Sequence, residues 1–462
     1  MNPLPFRVRT LPLATLSLAT AIAAALPLSA QAGSFQLPTV NAAGWARAQA
    51  GGSLFPNDPT AAYNNPAAMA FFNTTVMQAS VAAIRPSAKF RGEFRDQQGN
   101  PVSGGNPDGF AKFKAFPNLA LVAPVSDRIS LGASVSVPYG LASEYSPSWQ
   151  GRYFGSKTMV QSIAVSFSAS FRVNDEFAMG LGILGQHTKA QLNTMLDPYG
   201  SADELLGAPL FPPQGADVQL NVNAKRKFSF GYFGGFVFKP TQSDTFGLSY
   251  HSRVRNKLSG TYRLYGSPAG LALLQQAPIV AAQLGVPGVP ALNPAGGDAS
   301  ARLDMPAFAS FDWTHAFNDR FTLGASALWT GWSTFQNLAL YSSGQLLVAL
   351  PQKYKDSWIY SLGGDYKLNE AWTLRAGLGY DQTPSNIISR DPRIPDGARR
   401  LVGLGVGYQA SEHFGFDLGY QHQFVSDTPV RQTNPLALGA GSMNGKFKDH
   451  GDVVSLSGTF RF

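Results

Sequence analysis

The chain has 462 residues, 44% of them hydrophobic and only 14% charged, and no linker, charge run or composition break divides it. It contains no cysteine, which excludes disulfide staples and thiolate metal sites. The formal net charge is +8, and no nucleic-acid partner, metal or cofactor is expected. The 48 glycines and 12% aromatic residues suit many strands joined by tight turns better than a helical protein.

The first residues carry an export signal. Arg7 and Arg9 precede the apolar run LPLATLSLATAIAAALPL, and Ala30-Gln31-Ala32 is a small-x-small cleavage site. Residues 1–32 are therefore expected to be a signal peptide, with Gly33 the first mature residue. Residues 33–73 are rich in Gly, Ala, Pro and Asn and show no strand period. They either dangle or fold inside whatever follows. The Asn65-Pro66 step favours a turn there.

From residue 74 onward strict alternation dominates. FSFGYFGGFVF puts Phe228, Phe230, Tyr232, Phe236 and Phe238 on one face, and FGFDLGYQHQF does the same with Phe414, Phe416, Leu418, Tyr420 and Phe424. A period of two is a strand with two different environments. Many runs reach about ten residues, the length of a tilted strand crossing a bilayer. Fourteen candidates begin near Thr74, Phe110, Arg128, Met159, Phe177, Val218, Thr245, Ala301, Phe321, Tyr354, Trp372, Ala398, Phe414 and Val453. Short polar connections (126–128, 174–176, 240–244, 318–320, 369–371, 411–413) alternate with long ones (91–109, 142–158, 193–217, 263–300, 341–353, 383–397, 425–452). That asymmetry is the pattern of a bacterial outer-membrane barrel with short periplasmic turns and long outer loops. An even strand number closes the sheet and leaves no edge in lipid. The stretch AGLALLQQAPIVAAQLGVPGVPAL has no charge and contains Pro278, Pro287 and Pro290. It fits neither a membrane span nor a strand, and no regular element is expected there.

Several segments resemble the FadL family of outer-membrane long-chain fatty-acid transporters, whose relatives include carriers of aromatic hydrocarbons. They are GSFQL (33–37), the Asn65-Pro66-Ala67 tripeptide, PYGLASEY (138–145), WTGWSTFQNL (329–338), YKDSWIYSLGGDY (354–366), WTLRAGLGYDQTP (372–384) and IPDGARR (394–400). The similarity covers nearly the whole mature chain. It implies an all-β fold: a monomeric 14-stranded antiparallel transmembrane β-barrel over 74–462 with an N-terminal hatch segment, 33–73, in its lumen. It further implies passive uptake of hydrophobic compounds, long-chain fatty acids first and aromatic or other hydrocarbons as the alternative. Ligand is captured by outer loops, bound in a lumenal pocket partly lined by the mature terminus (Gly33, Phe35), and released sideways through the barrel wall after the hatch rearranges around Asn65, Pro66 and Ala67.

Residue by residue, the resemblance places the lateral opening at Pro138 and Gly140 in the third strand. Proline cannot donate to the ladder there; an ordinary strand end is the other reading. It places an apolar capture surface in the loop after the seventh strand: Leu271, Leu273, Leu274, Ile279, Val280, Leu284 and Val286. The same residues suit a lid packed on loop 193–217. Lys355 aligns with a family lysine that meets the ligand carboxylate, which needs a charged partner once desolvated. Arg399 is a second candidate. The run Arg390, Arg393, Arg399, Arg400 otherwise suits a rim facing lipopolysaccharide phosphates and outer-membrane lipid. Where well-studied members carry an arginine near the end of the fifth strand, this chain has Thr194, with Lys189 upstream. Two rivals are weaker. A lipase-type enzyme needs a serine, a histidine and an orienting partner within reach, and the six histidines are scattered. A general porin would lack the segment before the first strand.

Overall fold

The computed structural model describes residues 34–38, 41–111, 113–286, 289, 291–433 and 441–462; Gly33, expected to start the mature chain, lies outside the described residues. Nineteen strand segments form one antiparallel sheet among them. They are β1 (Val76–Arg95), β2 (Lys114–Pro124), β3 (Ile129–Glu144), β4 (Lys157–Arg172), β5 (Phe177–Leu196), β6 (Val218–Phe238) and β7 (Asp244–His251). Next come β8 (Lys257–Gly266), β9 (Gly297–Arg302), β10 (Phe308–Ala316), β11 (Phe321–Thr330), β12 (Asn337–Ser342) and β13 (Gln345–Pro351). The last are β14 (Ser357–Lys367), β15 (Trp372–Asp381), β16 (Arg399–Gln409), β17 (Phe414–Val425), β18 (Thr428–Thr433) and β19 (Ser442–Arg461).

Fourteen of these segments close a ring in the order β1–β7, β10, β11, β14–β17, β19. The closing pair is long: Val76 faces Arg461 at one end and Arg95 faces Ser442 at the other. The other segments extend the wall beyond the ring on its outer side, β8 on β6 and β9 on β8. No helix among the described residues is long and apolar enough to cross a membrane; the crossing is made by strands.

The alternation sorts the residues as the period requires. Phe228, Phe230, Tyr232, Phe236 and Phe238 are exposed on the outside of β6, while Phe233 and Val237 between them are buried inside. The short turns share one device. Asn174, Asn318 and Asn369 each accept two backbone N–H bonds from the residues two and three positions on. Ser126 and Thr241 do so through their hydroxyls. Each turn thus satisfies its own backbone without the second strand having formed.

Two expectations fail here. The last strand begins at Ser442, not near Val453, and Thr428–Thr433 is paired to it. Segment 441–452 is glycine- and charge-rich, so its sequence resembles a loop, but β1 runs out along one edge of it and β17 and β18 pair with the other. The uncharged stretch after β8 is a helix, Pro268–Gln283, where no regular element was expected. Ser267 caps it by accepting from the Gly270 N–H at 3.1 Å, Pro268 sits in its first turn where a missing N–H costs nothing, and Ala and Leu carry it across Pro278.

Residues 41–71 occupy the lumen. A short helix, α1 (Ala42–Ala46), is capped by Asn41, and a second, α2 (Ala61–Asn64), leads into a 3-10 turn, Pro66–Phe71.

Candidate functional site

The lumenal segment is held against the wall by close backbone approach. A Cβ on Gly377 would lie 2.2 Å from backbone atoms of Arg47, and one on Gly419 would lie 2.2 Å from the Ala42 carbonyl oxygen. Only glycine lets α1 lie flat on the strands here. Charge fixes the same contact. Arg47 donates to both oxygens of Asp365 at 3.1 Å and reaches Asp58 at 3.5 Å. Arg375, on β15, bridges Asp365 and Asp417 at 3.2 and 2.6 Å. Buried charges paired this closely hold a register and are expensive to separate. Asn65 is pinned too: its amide donates to the Phe236 carbonyl of β6 at 3.2 Å, while its carbonyl oxygen accepts from the Ala67 N–H at 3.2 Å. Pro66 and Ala67 are buried in the 3-10 turn that follows.

Between β2 and β3 the wall is incomplete. β2 pairs with β1 from Lys114 onward, but with β3 only between Leu119↔Val135 and Pro124↔Ser130. Beyond Val135 the edge of β3 has no partner in β2, and its pairing to β4 shifts register between Ser136 and Tyr139, across Pro138. The start of the chain occupies this edge. Leu37 N–H donates to the Pro138 carbonyl at 2.8 Å and Gly140 N–H donates to the Phe35 carbonyl at 2.9 Å, with Gln36 opposite Tyr139. A Cβ on Gly140 would stand 3.0 Å from the Phe116 ring and 3.4 Å from Leu37, so Phe116 and Leu37 fill the seam where two strands part.

Above this seam lies an apolar cavity of about 40 Å³, room for little more than a water or two. Phe35, Leu141, Val160, Leu258, Phe335 and Ile394 are among its walls, drawn from the N-terminal segment, three strands and two outer connections. Two charged residues border it, Asp391 and Arg393. Arg393 is 3% exposed and bonds both oxygens of Asp391 at 3.1 and 2.9 Å. Gln352 donates to the same carboxylate at 3.0 Å. The Nε–H of Arg393 is buried with no partner among the described residues. A buried unsatisfied N–H is costly, and this one lies beside Gly155. A second cavity, about 70 Å³, lies beneath and is bordered by Gln36, Leu37 and Pro138. The N-terminal strand therefore separates two spaces.

Some anticipated site residues converge here and others do not. Phe35 lines the upper cavity, and Pro138 and Gly140 form the seam. Lys355 is exposed, its backbone N–H bonded to the Pro384 carbonyl; its neighbour Tyr354 is the one turned inward. Arg399 is buried in an ion pair with Asp396 at 2.5 Å. Thr194 donates to the Tyr153 carbonyl at 3.0 Å, and Lys189 is exposed. The arginine run is not a rim: Arg390, Arg393 and Arg399 are buried and only Arg400 is exposed. Sequence spacing cannot separate these cases, because the loop folds inward over the barrel mouth. Burial also pushes the Arg390 guanidinium down from its usual range, although it bonds the Asp396 and Pro429 carbonyls.

The helix Pro268–Gln283 packs on a second outer helix, Pro198–Leu206. Leu274 is buried, Leu271, Leu273 and Val280 are half-buried, and Ile279, Leu284 and Val286 are exposed. With Leu206 and Leu210, also exposed, they leave apolar surface at the outer end. The lid and the exposed surface are one object. Asp197 caps the second helix through the Gly200 N–H at 3.0 Å, and burial raises its carboxyl to about 6 against that bond.

Comparison with known proteins bears on this arrangement. The family model described as "Outer membrane protein transport protein (OMPP1/FadL/TodX)" matches residues 23–462. The crystal structure of a Pseudomonas aeruginosa FadL homologue is similar at 43% identity with a TM-score of 0.86, covering 93% of this chain and 100% of that one. The long-chain fatty acid transport protein of Escherichia coli O6:H1 is 28% identical over 416 residues, 87% of this chain and 90% of its own. The Pseudomonas putida toluene transporter TodX shares the fold at 19% identity and a TM-score of 0.67, over 92% of this chain and 99% of its own.

Proposed function

The chain belongs to the OMPP1/FadL/TodX family of outer-membrane transport proteins, and on that premise we propose that it takes up long-chain fatty acids through a lumenal cavity and a seam in the barrel wall. It is an outer-membrane uptake channel for hydrophobic compounds rather than an enzyme. The observation that carries the finer reading is the position of residues 35–37, which line the upper cavity with Phe35, border the lower one with Leu37, and cap the free edge of β3.

The exposed outer residues Ile279, Leu284 and Val286 collect an acyl chain from water, each methylene contributing about 0.8 kcal/mol on burial. The chain enters the apolar cavity, and its head group accepts the free Nε–H of Arg393. Asp391 already neutralises this arginine, so the site offers one directed hydrogen bond rather than a net positive charge. The tail displaces Phe35, residues 34–38 leave the β3 edge, and the ligand passes between β2 and β3 beside Gly140 into the membrane. The Asn65-Pro66-Ala67 turn stays on the β6 wall, and the moving part of the hatch is its first few residues. Lys355 and Arg399 then serve outside the cavity, the former at the loop surface, the latter as the partner of Asp396.

Displacement of a fluorescent fatty acid by oleate and by toluene tests this in purified protein. Wild type, Lys355→Ala and the charge-neutral pair Asp391→Asn/Arg393→Gln are compared. Loss of oleate competition in the pair alone supports the reading. Equal competition by toluene and oleate in all three makes the chain a hydrocarbon channel with no head-group site.

A further inference from the structure

The outer surface behind the apolar cavity carries a basic patch in which cations outnumber the acid. The strands that line the cavity alternate, and four of their inward apolar residues have an outward cation beside them. Ala190 faces in and Lys189 out; Ala224 in and Lys225 out; Leu258 in and Lys257 out; Ala301 in and Arg302 out. Lys227 and Arg255 are exposed between them. None of Lys189, Lys225, Lys227, Arg255 or Lys257 makes an ion pair or a side-chain hydrogen bond among the described residues. The acid in the group is Asp304, already held by Arg302 at 2.8 Å and approached by Arg253 at 3.8 Å.

The register makes the crowding worse. Lys189 sits directly opposite Lys225, and Lys257 directly opposite Arg302. Like charges in directly opposed pairs repel, and the fold gains nothing from them by itself. Below the patch the same strands expose Leu181, Ile183, Phe228 and Phe230, the last 78% accessible. Lys227 immediately precedes Phe228, so the cations begin where the apolar band ends.

We propose that this patch on β5, β6, β8 and β9 binds the phosphate groups of an acylated, phosphorylated glycolipid of the outer leaflet, the lipid A portion of lipopolysaccharide. The lipid's acyl chains lie along Leu181, Ile183, Phe228 and Phe230, and its phosphates bridge the opposed cations. A phosphate carries about −1.5 to −2 charge near neutral pH, and placed between Lys189 and Lys225 it converts a repulsion into paired charge-assisted bonds. The inference goes beyond the uptake reading and needs only the outer-membrane location. The cations face away from the cavity, so they play no part in holding cargo.

Native mass spectrometry of the detergent-solubilised full-length mature protein tests it, using diphosphoryl lipid A, dephosphorylated lipid A and phosphatidylglycerol as probes. The variant Lys189→Gln/Lys225→Gln/Arg255→Gln/Lys257→Gln is compared with a control, Lys353→Gln/Lys355→Gln, which removes exposed loop cations elsewhere. Wild type and control should retain diphosphoryl lipid A at least about tenfold better than either other lipid. The fourfold variant should lose that preference while keeping heat-modifiable mobility and fluorescent fatty-acid binding. Lys225→Gln alone, which removes one repulsive pair, should fold as well as wild type and show an intermediate preference. Undiminished retention by folded variants overturns the proposal, as does equal retention of phosphatidylglycerol by wild type.

Discussion

Locking the N-terminal strand to β3 should stop transport. Gln36 and Tyr139 face each other with the bonds Leu37 N–H to Pro138 and Gly140 N–H to Phe35 flanking them. That is the non-hydrogen-bonded type of antiparallel pair, with Cα atoms roughly 4.5 Å apart, inside the range a disulfide spans. The chain has no cysteine of its own, so Gln36→Cys/Tyr139→Cys creates a single possible bridge. The forces on this segment are nearly balanced. Its hydrogen bonds, including Ser34 N–H to Asp396 at 3.1 Å, contribute about 0.5–1.5 kcal/mol each. Burial of Phe35 and Leu37, 1% and 3% exposed, adds roughly 1.5–3 kcal/mol each. The sum, about 5–10 kcal/mol, is offset by about 1–2 kcal/mol of backbone entropy for each ordered residue from 34 to 38. A segment poised this close to zero detaches thermally, and a covalent bridge removes that freedom. Uptake of labelled oleate by cells or proteoliposomes should fall at least about tenfold under oxidising conditions and recover with reductant. Fatty-acid binding in detergent should persist. Full uptake by quantitatively oxidised protein would refute the assignment of residues 34–38 as the moving part.

Other outcomes follow from the same geometry. Asp391→Asn/Arg393→Gln removes one charge-assisted bond worth about 1.5–3 kcal/mol, so oleate affinity should fall about 10- to 100-fold with toluene affinity unchanged, measured by displacement titration. Gly377→Val places a side chain where Arg47 backbone lies 2.2 Å away; overpacking of this kind costs about 1–3 kcal/mol, α1 should lift off, and ion conductance in planar bilayers should rise. Gly140→Leu should wedge between Phe116 and Leu37, leaving binding intact while uptake slows. The Asp197 carboxyl, raised by burial from its ordinary 3.8 to about 6, favours the folded outer helix most when protonated. Amide-exchange protection of residues 198–206 should therefore be greatest below about pH 4 and be lost as pH rises through about 6. Asp197→Asn should keep the cap and abolish the trend.

Strand number, closure and sidedness were legible in the chain because they rest on local periodicity. A residue at Phe230 is exposed for the same reason that Phe228 and Tyr232 are, and the Asn and Ser of the short turns bond within three residues of themselves. The incomplete seam was half legible: Pro138 and Gly140 mark where β3 breaks its pattern, but nothing in their spacing says that residues 35–37 would take up the edge. The ligand cavity was not legible. Phe35, Leu141, Leu258 and Ile394 meet only because the ring closes and the outer connections fold inward over its mouth. The same inward fold buries Arg393 in a run that resembles a charged rim and leaves Lys355 outside. Helix 268–283 escaped notice because its cap at Ser267 and its packing on helix 198–206 outweigh a proline in its body. Period and turn chemistry belong to neighbours in sequence. Burial of a charge, and the pairing of a free edge, depend on residues hundreds of positions away, and only the closed barrel brings them together.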